Sequence, residues 1–252
     1  MNNYNNLPPL PQPSATQAAP QQSEWSLTTY MTQVMRKVYV KMFIGLLVTA
    51  LTSFFVMSNE TLMSLFIDVA DDYVSPSGLL WVLCIAELAL VFILSMAINK
   101  LSSQVATILF YVYALINGIT LTPIFFIYTM SSIALTFFVT AGVFLAMSIY
   151  GYTTKSDLTK FGSYLIMGLF GLIICTLINM FWANSIMDWI ISFAGVIIFI
   201  GLTAWDTQKI KQMALETDEV NAGKLATLGA LSLYLDFINL FLYLLRFLGS
   251  RD

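Results

Sequence analysis

Seven apolar stretches of about 20 residues follow one another along most of the chain. Each is long enough to cross the hydrocarbon core of a bilayer as an α-helix. The composition agrees, because 58% of the 252 residues are hydrophobic and 10% are charged, against roughly 25% charged in soluble proteins. The predicted fold is therefore an all-α polytopic membrane protein. The predicted spans are Val38–Met57, Gly78–Ile98, Val105–Ile127, Ile133–Tyr152, Gly162–Trp182, Met187–Thr207 and Leu225–Leu248.

Small and helix-breaking residues within the spans carry two further predictions. Asn117, Gly118 and Pro123 in the third segment predict a kink or local unwinding. Glycines in and beside the fourth and fifth segments could let neighbouring helices approach closely. These glycines are Gly142, Gly151, Gly162, Gly168 and Gly171.

The first 30 residues differ in composition from the rest of the chain. From Met1 to about Ser23 they are mainly Asn, Pro, Gln, Ser and Ala, with PPLPQP at the centre. This composition predicts a disordered Pro/Gln-rich cytoplasmic tail over residues 1–30, ahead of a transmembrane domain over residues 31–252. The segment lacks the basic and apolar regions of a signal peptide.

The basic residues near the span ends predict the orientation. If the seven spans alternate in direction, the basic residues from Arg36 to Lys224 all fall on one face of the membrane. The positive-inside rule makes this face cytoplasmic. The N-terminus is then inside. Arg246 and Arg251 leave open whether the seventh segment crosses the membrane fully. The residues on the basic face are Arg36, Lys37, Lys41, Lys100, Lys155, Lys160, Lys209, Lys211 and Lys224.

Two aspartates, Asp206 and Asp236, lie inside apolar segments that read GLTAWDTQKIKQM and LGALSLYLDFINLFLYLLRFL. A single Asp at the centre of a membrane helix costs about 2.5 to 3.5 kcal/mol on insertion scales. Ionisable residues in such positions commonly mark ion or proton pathways, so we interpret the pair as an ion or proton site. The alternative is structural, with each Asp capping a helix end or pairing with a lysine, since Lys209 and Lys211 follow Asp206 closely.

The chain contains no histidine, so a response to pH near neutrality depends on carboxylates. Asp206 and Asp236 lie on consecutive antiparallel helices, where a kink or uneven helix starts would bring them together. Two close carboxylates do not ionise together easily, so we expect the pair to share a proton and to titrate in two separated steps. Protons and cations should then compete for it.

The same pair predicts a weak calcium site. Ca²⁺ takes 6 to 8 oxygen ligands, whereas two aspartates supply at most four. This suits a permeant ion that visits and leaves, and does not suit a tightly held one. Asn239 and Tyr243 follow Asp236 by three and seven residues, so they are predicted to add auxiliary oxygen donors near the same helix face.

Two further charges are predicted to pair. Glu87 lies inside the second span, and Arg246 lies near the outer end of the seventh. Because arginine binds a carboxylate bidentately, we predict a Glu87–Arg246 ion pair that joins these helices. The alternative is that Arg246 extends to the membrane surface and Glu87 is protonated.

Four stretches resemble the transmembrane Bax inhibitor motif family. The two segments quoted above resemble its signature segments, and AELALVFILS and YALINGITLTPIF are similar to its second and third helices. The resemblance covers residues 31–246 approximately. It implies a seven-helix fold whose last helix is central, wrapped by the other six. It also implies a pH-sensitive calcium leak channel of a bacterial inner membrane, with the family's aspartate pair on Asp206 and Asp236 and its glutamate–arginine pair on Glu87 and Arg246.

One position departs from the family pattern. Some members carry an arginine near the inner end of the second helix that latches the aspartates in a closed state. Here the region reads SMAINKLS, so Lys100 stands near that position without the forked donor geometry of arginine. The resemblance therefore leaves open whether Lys100 replaces the latch.

Three other functions compete with a channel. Presenilin-like proteases also use two intramembrane aspartates, but in YD and GxGD patterns, where this chain has Trp205-Asp206 and Leu235-Asp236. The main alternative is a regulatory membrane protein that binds and modulates a membrane protease or a cell-death partner. Proton-coupled transport fits the aspartates but lacks evident inverted repeats. We therefore expect no enzyme activity, no organic cofactor, no nucleic-acid binding and a monomer, with the lipid bilayer, calcium, protons and a membrane-protein partner as interaction partners.

Overall fold

The fold is a bundle of long apolar helices, seen in a computed structural model that describes residues 19–70 and 73–250. Within these residues, seven helical segments are long and apolar enough to span a membrane, as predicted. The elements are α1 Ala19–Met57, α2 Glu60–Phe66, β1 Ile67–Ala70, β2 Tyr73–Pro76, α3 Gly78–Ala97, a 3₁₀ turn Ile98–Lys100, α4 Ser103–Thr120, α5 Ile124–Ile127, α6 Met130–Thr153, α7 Thr159–Trp182, α8 Ser185–Glu216 and α9 Glu219–Leu248.

The first helix begins earlier than the sequence predicts. Residues 1–18 of the predicted tail lie outside the described residues. Residues 19–30 were predicted to be disordered as well, but they form the first turns of α1. The polar stretch that precedes the apolar span thus belongs to the same helix as the span.

Side-chain caps mark the places where the chain enters a helix. A side-chain oxygen at each of these positions accepts a hydrogen bond from a backbone N–H in the first turn, where no helical partner is available. The capping residues are Asn59, Ser77, Ser102, Thr129, Asn184 and Asp218.

The third span is interrupted, as the Asn-Gly and Pro residues in its sequence predict. α4 ends at Thr120, and a short turn leads to α5, which begins after Pro123. Proline has no backbone N–H to continue the helical hydrogen bonds. A second irregular region was not predicted: β1 and β2 form an antiparallel hairpin between α2 and α3, with Asp68 opposite Ser75.

The last helix, α9, is the most buried of the seven spans. Two thirds (67%) of its most apolar window is buried, against 11% to 39% for the other six. It packs chiefly against α1, α4, α6 and α8. The prediction that all six other spans wrap it stays a prediction, since its contacts with the second and fifth spans, α3 and α7, are slight.

α9 crosses the bundle completely. The residue after its end, Ser250, hydrogen-bonds with the start of α6: its N–H donates to Ser132 Oγ at 2.9 Å, and its carbonyl accepts from the Thr129 N–H at 3.3 Å. At the opposite end of the bundle, Lys224 Nζ donates to the Asn99 carbonyl at 3.1 Å. The alternative of a half-crossing last helix is therefore wrong.

Candidate ion site

The two predicted site aspartates meet inside the bundle. Asp206 lies on α8 and is 8% exposed, and Asp236 lies on α9 and is 4% exposed. Their carboxyl groups are close enough to act as hydrogen-bond partners when one of them carries a proton. The structure thus brings together the two residues that the sequence placed on consecutive helices.

A serine that the sequence analysis missed completes the contact. Ser232 Oγ donates a hydrogen bond to Asp206 Oδ2 at 2.5 Å. Ser232 precedes Asp236 by four residues, so both side chains lie on one face of α9. Asp206 therefore sits against an i, i+4 pair of polar groups. The spacing SLYLD was visible in the sequence and is the signal that would have found Ser232.

Two glycines bring α8 close to its neighbours beside Asp206. A Cβ on Gly151 of α6 would overlap the backbone carbonyl of Ala204. A Cβ on Gly162 of α7 would overlap the indole ring of Trp205. The absence of a side chain at both positions therefore allows α6 and α7 to fix the segment of α8 that carries Asp206. Two other glycines that were predicted to serve in this way, Gly142 and Gly171, have open space around them.

The two nearby lysines make their closest contacts with other groups, and the charge of Lys209 also acts on Asp206. Lys211 Nζ donates to the Tyr152 carbonyl at 2.8 Å, and Lys209 Nζ lies 4.7 Å from the centre of the Trp205 ring. Both aspartates also lie well inside their helices, far from any cap. Neither aspartate therefore caps a helix, and neither forms an ion pair with a lysine in the described part of the chain.

One carboxylate oxygen receives no hydrogen bond. Asp236 Oδ2 is fully buried and accepts no hydrogen bond from an N–H or hydroxyl donor in the described part of the chain. On α8, the hydroxyl of Thr207, next to Asp206, is also buried and unpaired there. Unpaired polar atoms in an interior cost free energy, and such atoms commonly indicate a functional role. The arrangement offers oxygen ligands and a place to hold a proton.

The predicted auxiliary donors lie between the pair and the C-terminal end of α9. Asn239 and Tyr243 line a cavity of about 270 Å³, together with Tyr128 and Arg246. Asn239 Nδ2 donates to the Leu235 carbonyl of its own helix at 2.8 Å. Asn239 follows Asp236 by three residues, so its backbone lies about 4.5 Å further along the axis of α9. Neither aspartate lines the cavity itself.

The predicted Glu87–Arg246 ion pair is wrong. Arg246 Nη2 instead lies 2.7 Å from Asp188 Oδ1, in the first turn of α8. Glu87 Oε1 accepts a hydrogen bond from Thr120 Oγ1 at 2.8 Å. Arg246 does not reach Glu87 because of how the helices are arranged. The helix of Glu87, α3, packs mainly against α4, whereas the end of α9 adjoins the start of α8. Glu87 therefore finds uncharged partners on α4.

Glu87 belongs to a buried polar network on the side of α9 that faces α1 and α4. Its carboxylate also interacts with the side chain of Asn117. Asn117 Oδ1 accepts from the Tyr234 hydroxyl at 2.9 Å, and Thr49 Oγ1 lies 2.6 Å from the same hydroxyl. The network joins four spanning helices and explains how a carboxyl is accommodated there without a cation.

Lys100 does not reach the aspartates in this structure. It ends the 3₁₀ turn after α3, and its side chain is exposed. Among residues 19–70 and 73–250, no ion pair or hydrogen bond joins it to Asp206 or Asp236. Whether it serves as a latch in another state stays a prediction.

Comparison with known proteins identifies the family. The model of the Bax1-I family, described as the inhibitor of apoptosis-promoting Bax1, matches residues 31–252. The chain belongs to this family. The match begins at the residue where the transmembrane domain was predicted to begin, and it confirms the family resemblance that the two aspartate-containing segments indicated.

Similar proteins match the chain over most of their length. The chain is 47% identical to the inner membrane protein YbhL of Escherichia coli over 228 residues, which is 89% of this chain and 93% of YbhL. It is 48% identical to an uncharacterized protein of Borreliella burgdorferi over 217 residues, 85% of this chain and 90% of the relative. A Rickettsia prowazekii relative is 44% identical over 219 residues, which is 86% of this chain and 89% of the relative.

Proposed function

We propose that this Bax1-I family protein is a calcium leak channel gated by protonation of Asp206 and Asp236. The observation that carries the proposal is the contact of two buried carboxyl groups on adjacent helices, neither of them paired with a cation in the described part of the chain. A buried pair of this kind holds negative charge where a permeant cation needs it, and it gains or loses that charge with pH.

The geometry suits a weak and transient calcium site. Asp206, Asp236 and Ser232 supply carboxylate and hydroxyl oxygens, and waters or carbonyls would complete the 6 to 8 ligands that Ca²⁺ takes. Among the residues that the structure describes, no group of three or more acidic, histidine or cysteine side chains forms a stronger site. The cavity beside Asn239 offers the outer approach to the pair.

The proposed cellular location rests on a relative's name and on the positions of the basic residues. The relative YbhL is named an inner membrane protein, and we propose the inner membrane for this chain, with the N-terminus in the cytoplasm according to the positive-inside rule. We further propose a monomer with no organic cofactor and no enzyme activity.

The experiment that tests the channel is Ca²⁺ uptake into proteoliposomes at a single pH near 7. We expect the rate of Ca²⁺ uptake with wild-type protein to be well above that of empty liposomes. With the double variant Asp206→Asn/Asp236→Asn, the rate should fall towards that of empty liposomes. A wild type indistinguishable from empty liposomes would contradict the channel. The regulatory alternative would then lead, in keeping with the description of the family as an inhibitor of another protein.

A further inference from the structure

A lateral groove lies between α1 and α6, towards the opposite end of the bundle from the cavity described above. Its volume is about 500 Å³, which is within the range of ligand pockets. It is lined by residues of α1, among them Arg36, and by residues of α6, among them Phe144, Leu145, Tyr152 and Thr153.

The groove is about as long as one leaflet of a bilayer is thick. Along α6 it runs from Phe144 to Thr153, which is about 13 Å at 1.5 Å per residue. The hydrocarbon core is about 30 Å thick, so this length corresponds to one leaflet. The Thr153 end is the end of α6, so the groove opens from the helix interior towards the membrane surface.

The surface end of the groove is basic. Arg36 lines it and is exposed, and no acidic side chain of residues 27–68 or 75–250 forms an ion pair with Arg36. A second cation, Lys211, lies 4.8 Å from the centre of the Tyr152 ring, which lines the same end. Deeper in the groove the walls are apolar, with Phe144 and Leu145 among them.

We propose that this groove binds an anionic phospholipid, with one acyl chain between α1 and α6 and the phosphate at Arg36. Basic pockets between spanning helices on the cytoplasmic side bind anionic headgroups, and the charge at the groove mouth fits such a ligand. The proposal is independent of ion conduction.

Two other occupants fit less well. The N-terminal residues 1–18 are Asn-, Gln- and Pro-rich, so they offer little apolar surface to a groove in the hydrocarbon layer. A second copy of the chain would have to insert an apolar ridge and to place an acidic group against Arg36. A second copy is distinguishable from a lipid by its mass, whereas occupation by residues 1–18 would leave the chain without a lipid adduct.

The test is native mass spectrometry of the full chain released from detergent, with phosphatidylglycerol or phosphatidylcholine added. We expect wild-type protein to retain phosphatidylglycerol in preference to phosphatidylcholine. Arg36→Gln should lower that preference about five-fold, which corresponds to about 1 kcal/mol per basic residue near a membrane surface. Arg36→Lys should keep it, and so should Lys160→Gln, which removes a basic residue outside the groove.

A second variant pair tests the acyl chain. Leu145→Trp fills the groove and should remove bound lipid of both kinds, whereas Phe138→Trp, on an exposed part of α6 outside the groove, should leave binding unchanged. Equal loss in Arg36→Gln and Lys160→Gln, or unchanged binding in Leu145→Trp, would overturn the proposal. So would a spectrum that shows dimers in place of lipid adducts.

Discussion

Ser232 donates a 2.5 Å hydrogen bond to Asp206 across the interface of α8 and α9. This contact ties the last two spanning helices together at the level where the two carboxyl groups meet. It also fixes one oxygen of Asp206, whose carboxyl group interacts with that of Asp236. The serine is therefore a positioning residue for the aspartate pair.

Replacing Ser232 should destabilise the bundle. In Ser232→Ala, a buried carboxyl group loses its donor, which costs about 1 to 3 kcal/mol. We expect a lower thermal unfolding midpoint in detergent. Ser163→Ala is the matched control, because Ser163 is exposed and its hydroxyl bonds only to its own helix. An equal midpoint in the two variants would contradict the positioning role.

The close approach of α6 and α8 should not tolerate a methyl group. Gly151→Ala places a Cβ against the backbone carbonyl of Ala204, which has no flexible end to move aside. Overpacking of this kind costs about 1 to 3 kcal/mol, so we expect a lower unfolding midpoint and a lower yield of folded protein. Gly142→Ala, with nothing within 4 Å of the added Cβ, should behave as wild type. Equal behaviour of the two variants would be inconsistent with this packing.

The pairing of Arg246 is testable by a double-mutant cycle. Asp188→Asn and Arg246→Gln should be coupled, whereas Glu87→Gln and Arg246→Gln should be additive. Because the side chains of Arg246 and Asp188 are 35% and 27% exposed, solvent screens the pair and the expected coupling is about 0.5 to 1 kcal/mol. Thermal unfolding of the four variants in each cycle gives the result. Coupling with Glu87 instead of Asp188 would restore the pairing predicted from the sequence.

The buried network on the other side of α9 should contribute to stability. Tyr234→Phe removes the hydroxyl that contacts Thr49 and Asn117, and we expect a loss of about 1 to 3 kcal/mol. Tyr164→Phe, on the exposed surface of α7, is the control and should leave the unfolding midpoint unchanged. If the two substitutions have the same effect, the network carries no stability.

The spans and the aspartate pair were predictable from the sequence for a physical reason. A span must be about 20 apolar residues long, and a charge within it is conspicuous. The partner of a charge is not encoded in the same way, because it depends on which helices adjoin. Arg246 was therefore assigned to Glu87, although α9 ends beside α8 and Asp188.

Small and uncharged residues gave the weakest signals. Gly151 and Gly162 were predicted only as places of close helix approach, and Ser232 was not predicted. The packing of α8 against its neighbours shows which groups these residues contact. The β-hairpin after α2 was not predicted either. Its two strands have four residues each, which is too short to show a clear alternation of apolar and polar residues.

The central claim is that Asp206 and Asp236 make Ca²⁺ flux sensitive to pH. The direct test is flux into proteoliposomes between pH 5 and pH 8 for wild type, Asp206→Asn, Asp236→Asn and the control Asp157→Asn. Hydrogen bonds from Thr159 hold the pKa of the exposed Asp157 below its usual range, so Asp157 stays ionised throughout and should not contribute.

We predict a flux that changes with pH in the wild type and in Asp157→Asn, and that loses this dependence in Asp206→Asn and in Asp236→Asn. If Asp206→Asn and Asp236→Asn both keep the wild-type dependence of Ca²⁺ flux on pH, the aspartate pair is not the pH-sensitive gate.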